Sequence, residues 1–304
     1  METLLDIVRQ EQNEERYNRK HIDKKISDFL INDSFIKTKL DLGVTLVNEY
    51  MSKTYYAQKN ARIDQIRHLD IEEVVLNITT GICFCMTPEL FTTISSMVAG
   101  RLRLGTKLDA IKIAADLVAV LCNTDLFDIY KENKFASLYV KSRIQLPDDL
   151  LLFIANTRFI PPMVCEPKEL EDNFDSGYLT HKESLILGGS INHHNGDICL
   201  DVLNRINKVC FKLDTQFISK VEEEPTFDLD DEAKRTQWQK FKVDSYNMYS
   251  LIVGQGNKFW LTNKVDCRGR IYATGYHIST QGTSHKKAMI ELYNEEIVLG
   301  AYTK

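Results

Sequence analysis

Between Phe259 and Ile290 the chain gathers Lys264, Arg268, Arg270, Lys286 and Lys287 against one carboxylate, Asp266, a local net charge of +4 in a protein whose overall charge is -5. The triplet Arg268-Gly269-Arg270 offers two planar guanidinium forks, which match phosphate oxygens where a lysine ammonium acts only as a point charge. Asp266 is spaced to hold an arginine in place. Read as an extended segment, Val265 to Tyr272 puts Asp266, Arg268, Arg270 and Tyr272 on one face and Val265, Cys267, Gly269 and Ile271 on the other. Gly269 then removes a side chain where a ligand backbone could approach. The chemistry of this set is contact with a polyanion. For the string taken alone, a surface strand with a solvent-screened Asp–Arg pair is the simpler account.

The residues that follow add order to this set. The run Ile271 to Ile290 reads as a strand, then a turn at Gln281-Gly282, then a helix start led by Ser284 with Lys286 and Lys287. The sequence Asp266-Cys-Arg-Gly-Arg-Ile-Tyr272, then Gln281-Gly282, then Lys287-Ala288, resembles the D/T-x-x-G-R motif of the single-subunit phage and mitochondrial RNA polymerases. Pro161-Pro-Met-Val-Cys-Glu-Pro167 with Gly177-Tyr178-Leu179 is similar to a second segment of that family. The resemblance implies a helical N-terminal domain with a β-hairpin, a two-helix thumb and the first strands of a polymerase palm. It implies that Asp266, Arg268, Gly269, Arg270, Tyr272 and Lys287 contact the template and the RNA–DNA hybrid.

A polymerase of this class also needs two aspartates holding two divalent ions and a lysine-bearing helix for the incoming nucleotide. No such motif occurs in the 304 residues, and the family's first catalytic aspartate would fall beyond Lys304. The resemblance therefore implies that this chain carries no catalytic group and no metal ligand. The Mg2+ ligands would lie on a second RNA polymerase subunit bearing the rest of the palm and the fingers. That is the arrangement of the heterodimeric RNA polymerase II of certain virulent phages, whose small, N-terminal subunit the chain resembles. DNA template and RNA are the implied partners, with a single-stranded-DNA-binding protein as helper and the cytoplasm of an infected bacterial host as the location. Two other readings stay open: a fragment of a longer single-chain polymerase, and a non-enzymatic helical nucleic-acid-binding or scaffold protein.

The elements that must position these residues are mainly α with a minor β part. A hydrophobic content of 43% and few Gly and Pro allow a sizeable core in one to three domains. The acidic balance confines polyanion binding to local clusters. Seven cysteines without paired two-residue spacing fit neither a disulfide framework nor that zinc pattern. No apolar run is long enough for a membrane span. Leu4, Leu5, Val8, Ile22, Ile26, Phe29 and Leu30 recur at helical spacing, and the Glu-rich run Glu11 to Arg19 reads as a solvated helical face. Helices are predicted over 71–86, 88–103 and 107–121. A hairpin follows, with strands near 126–131 and 135–144; Lys131 and Lys134 near its tip are candidate nucleic-acid contacts. A short helix from Asp148 and an extended crossing at Pro161-Pro162 end the first region, with a boundary near 180. Residues 197–221 are predicted as one long helix presenting Arg205, Lys208 and Lys212, and 232–253 as a second. Residues 181–258 would then be thumb-like, and 259–304 the start of the palm.

Overall fold

Apolar residues three and four apart set the opening helices, α1 (Leu4–Tyr17), α2 (Arg19–Asn32) and α3 (Ser34–Ser52). The structure, a computed structural model, describes residues 4–102, 104, 106–131, 137–156, 159–188 and 192–294. Next come α4 (Ala57–Ile66), α5 (Ile71–Phe84), the short strand β1 (Glu89–Leu90), α6 (Phe91–Leu102) and α7 (Lys107–Leu121). Asp70 caps α5 by accepting from the Glu72 and Glu73 amides, and Thr106 caps α7 through the Asp109 amide. Strands β2 (Phe127–Lys131) and β3 (Leu138–Ser142) pair antiparallel from Phe127↔Ser142 to Lys131↔Leu138, with β1 on the outer edge of β3. This is the hairpin read from the sequence. Helix α8 (Asp148–Asn156) follows.

The chain divides into two compact units. One comprises Arg19–Arg158 with Gly188–Asn192, and the other Met1–Asn18, Phe159–Leu187 and His193–Lys304. The change of unit after α8 therefore falls at 158–159, ahead of the boundary read near 180. The first of these units has a single core, in which Ile22, Ile26, Leu30, Ile78, Ile113 and Leu117 are almost fully buried.

The other unit contains α1, then α9 (Leu200–Asn207), β4 (Cys210–Leu213), α10 (Thr215–Lys220), α11 (Glu232–Gly254), β5 (Phe259–Trp260), β6 (Asn263–Val265), β7 (Ile271–Ala273), α12 (Ser284–Ala288) and β8 (Ile290–Leu292). Its strands form a sheet of order β5-β4-β8 and the hairpin β6–β7. The single long helix predicted over 197–221 does not form. Cys210 and Phe211 pair with Trp260 and Phe259, and Phe211 to Leu213 pair with β8, so partners distant in sequence override the local periodicity. Asp214 then starts a new helix by accepting from the Phe217 amide. The Pro161-Pro162 crossing leads into core: Met163 exchanges backbone hydrogen bonds of 2.9 and 2.8 Å with Trp260, and Met163, Val164 and Cys165 are buried.

Helix α1 inverts the orientation read from its sequence. Leu4 and Leu5 are 78% and 55% exposed, whereas Asn13 and Glu14, from the run read as solvated, and the preceding Gln10 are buried. The cause is a set of donors aimed at one carboxylate. Glu14 accepts from the Leu179 amide (2.8 Å), the Thr180 amide (2.8 Å) and hydroxyl (2.6 Å), and the Gln10 side chain (2.9 Å). Burial alone would raise its pKa, but these hydrogen bonds and one with His181 bring it down to about 2. Among the described residues, no helix is long and apolar enough to cross a membrane.

Candidate nucleic-acid interface

Asp266-Cys267-Arg268-Gly269-Arg270 is the turn of the β6–β7 hairpin, not the middle of a strand. The Asp266 carbonyl accepts from the Gly269 amide at 2.9 Å, and the Asp266 amide donates to the Arg270 carbonyl at 2.9 Å. Asp266 Oδ1 accepts from the backbone amides of Arg268 (2.9 Å) and Arg270 (3.0 Å). An aspartate at the first position of a turn and a glycine at the fourth is a turn signature, and it accounts for the D-x-x-G spacing directly. Gly269 is required by its φ of +77°, and no atom of the chain itself lies within 4 Å of a Cβ built there. The alternating faces read over Val265 to Tyr272 are thereby corrected: a turn interrupts the period of two.

The turn still brings the polar set together. Asp266 Oδ2 accepts from Arg270 Nε at 2.7 Å and Arg268 Nε at 3.3 Å, and the Tyr272 hydroxyl donates to it at 3.5 Å. The Arg270 guanidinium also lies over the Tyr272 ring, 5.4 Å from its centroid. Side-chain exposure is 66% for Arg268 and 52% for Arg270 but 13% for Asp266, so the anchor is covered and both guanidinium groups face solvent. Desolvation works to raise the Asp266 pKa, yet the hydrogen bonds from the Arg270 backbone and side chain outweigh it and hold the carboxyl below its ordinary value.

The hairpin is held along both edges. On the β6 side, Val265 exchanges backbone hydrogen bonds with Leu185 (2.9 Å) and Leu187 (2.7 Å). On the β7 side the partner is a side chain: Gln281 Oε1 accepts from the Ala273 amide at 3.1 Å, and Gln281 Nε2 donates to the Ile271 carbonyl at 3.0 Å. Gln281 is fixed in turn by Ser279, whose hydroxyl accepts from the Gln281 amide at 3.1 Å and donates to its carbonyl at 3.2 Å. Gly275 permits the intervening loop, because a Cβ there would lie 1.8 Å from the Ile278 carbonyl oxygen. Within that loop His277 is buried, with Nδ1 2.8 Å from the Ser245 hydroxyl, and burial with the nearby Lys286 charge pushes its pKa down to about 4.

The other basic residues read from the sequence are dispersed. Lys287 is exposed on α12. Its neighbour Lys286 is the more deeply placed: it donates to the Tyr276 carbonyl at 2.8 Å, lies over the Phe241 and Tyr276 rings, and has its pKa lowered by burial. Lys208 is exposed just after α9. Lys212 sits on β4 and pairs with Glu291 at 3.5 Å, so it does not lie on a helix face as read. Lys131 is exposed at the end of β2, in the other unit, and Lys134 lies outside the described residues. The sequence reading took Gln281 as a turn residue within the family motif and gave its side chain no role. Its offset from β7 was visible, but a side chain replacing a strand has no periodic signature.

Among the described residues, no group of three or more His, Cys, Asp or Glu side chains is placed to hold a metal ion. The set described here presents two exposed guanidinium groups from one turn, chemistry suited to the phosphate oxygens of a polyanion.

Comparison with known proteins finds similarity to proteins named probable DNA-directed RNA polymerase. It is 27% identical over 190 residues to a protein named probable DNA-directed RNA polymerase from Gelasinospora sp. (strain G114), covering 55% of this chain and 21% of that protein. It is 22% identical over 227 residues to a protein of the same name from Podospora anserina, covering 60% and 24% respectively. The chain thus spans less than a quarter of the length of each of these relatives. No protein-family model matches it.

Proposed function

We propose that this chain is part of a DNA-directed RNA polymerase and supplies contacts to the template strand and the RNA–DNA hybrid, while the catalytic aspartates lie on a partner chain. The observation that carries the reading is the Asp266 turn, which presents Arg268 and Arg270 to solvent from a single covered anchor. Guanidinium groups pre-oriented in this way bind phosphate oxygens without first losing side-chain freedom. The relationship to proteins named DNA-directed RNA polymerase supports the same reading.

In this reading the β6–β7 hairpin opens the palm. A second subunit, as in the heterodimeric phage enzymes, brings the fingers and the rest of the palm. Magnesium would be held there, so no step at the metal is assigned to residues of this chain. The role of Arg268 and Arg270 is to hold the sugar–phosphate backbone in register beside the partner's active centre, and that of Lys287 to add a charge at the same backbone.

The test is anisotropy of a labelled RNA–DNA hybrid titrated with the full chain. The reading expects salt-dependent binding that Arg270→Ala weakens, and co-purification of a palm-and-fingers chain from the source organism. Hybrid binding that is absent, or indifferent to Arg270→Ala, refutes it.

A further inference from the structure

β7 is an edge strand on the side away from β6. Alternate residues of a strand direct their backbone groups to opposite edges. Arg270 and Thr274 bond toward the β6 side, through the Asp266 amide at 2.9 Å and the Thr262 carbonyl at 3.0 Å. Ile271 and Ala273 are therefore left with a carbonyl and an amide on the open edge. The Gln281 carboxamide takes both, accepting from Ala273 and donating to Ile271. These are the two bonds a residue of an adjoining strand would make, and they flank Tyr272 on either side.

We infer that Gln281 is a positioning residue: its carboxamide substitutes for a missing strand at the β7 edge and so fixes where Tyr272 and Arg270 point. The inference rests on the reading of the Asp266 turn as a hybrid contact, and it goes beyond it by linking two separate stretches into one device. A carboxamide is suited to the task because it carries a donor and an acceptor side by side. Leucine carries neither, and a carboxylate lacks the donor and turns a second oxygen toward the Ile271 carbonyl. Ser279, buried and bonded to the Gln281 backbone at both ends, sets the reach. Without Gln281 the β7 backbone keeps only its β6 partner, and the turn it carries gains freedom that must be lost again when phosphate binds.

Two readouts on the full chain test this. The first is amide hydrogen exchange at Ala273, expressed as a protection factor. Gln281→Leu is expected to lower protection there by about ten-fold, the scale of one backbone hydrogen bond, while Val265, bonded at the other edge, keeps its protection. Ionised Gln281→Glu keeps an acceptor for the Ala273 amide but has no donor for the Ile271 carbonyl and sets oxygen against oxygen there, so Ala273 protection is expected to lie between that of the unaltered chain and Gln281→Leu and to rise as the pH falls and the carboxyl becomes protonated. Unchanged Ala273 protection in Gln281→Leu overturns the strand substitution. The second readout is affinity for an RNA–DNA hybrid, measured for Gln281→Leu, Arg270→Ala and the double variant. If Gln281 acts through Arg270, the double variant binds no more weakly than Arg270→Ala alone, whereas a role confined to stability leaves the affinity of folded Gln281→Leu unchanged. Lost protection with unchanged affinity overturns positioning. Failure of the unaltered chain to bind hybrid overturns the reading of the turn and the positioning role with it, while the Ala273 result separately decides the strand substitution.

Discussion

Arg270 reaches Asp266 Oδ2 with both Nε, at 2.7 Å, and Nη2, at 2.6 Å, and its side chain remains 52% exposed. One carboxylate oxygen thus serves the guanidinium while the other serves backbone amides, so the pair orients the arginine without covering it. A pair of this kind adds little to stability in water. Its effect is on geometry, and the following expectations separate the two.

Arg270→Ala is expected to weaken binding of an RNA–DNA hybrid by about ten-fold or more, the scale of one charge-assisted hydrogen bond to phosphate. Thermal stability and assembly with a partner chain should stay near those of the unaltered protein. Arg270→Lys restores only part of the affinity, because an ammonium cannot reproduce the fork. Anisotropy titrations beside thermal melts check this. A lowered melting temperature with normal binding would assign the residue to the fold instead.

Gly269→Ala is expected to cost about 1–2 kcal/mol through backbone strain at positive φ alone, since the space around a Cβ is open. Gly269→Asn costs less, because asparagine tolerates that conformation. Chemical denaturation of the two variants gives the comparison.

Asp266 has a depressed pKa, so its contribution to turn order is complete above the ordinary aspartate value near about 3.9 and is lost as the pH falls through the lower, folded-state value. Protection of the Arg268 and Arg270 amides against exchange is expected to persist at pH 5 and to vanish only in stronger acid. Asp266→Ala removes it at every pH.

Glu14 follows the same sign with a larger effect. A shift from 4.5 to about 2 corresponds to roughly 3 kcal/mol of stability, present above the upper value and lost as the pH falls toward the lower. Glu14→Ala, which strands the Leu179 and Thr180 amides in a buried site, is expected to cost a similar amount at pH 7. Acid titration of both proteins, followed by tryptophan fluorescence, should show the unaltered chain losing its advantage in that window.

His277 works in the opposite protonation state. Burial and Lys286 lower its pKa from 6.5 to about 4, so the folded chain holds it neutral while the unfolded chain takes up a proton between those values. Stability therefore rises with pH across that window and levels off above it. His277→Gln, with no titration there, should flatten this part of the profile.

Local signals carried much of the fold. The apolar spacing in α2, α3 and α7 and the polar break before Leu138 each act over a few residues, and the structure places helices and hairpin accordingly. What failed depended on distant partners. Cys210 to Leu213 look helical until Phe259–Trp260 and Ile290–Leu292 are in place beside them. Glu14 looks solvated until Leu179 and Thr180 supply amides. The Asp266 set was legible as a cluster of residue types, but its geometry was read from strand alternation when the Asp and Gly positions spell a turn.

The burial of Glu14 has a temporal side. The amides that neutralise it lie 165 and 166 residues downstream, and the unit it belongs to is interrupted by the continuous run Arg19–Arg158. A ribosome therefore delivers α1 long before its docking site exists, and delivers the whole run Arg19–Arg158 of the other unit before residues 179 and 180 emerge. Within its unit α1 is made before the segment that seats it, and until then its carboxylate keeps it in water and away from premature apolar contacts.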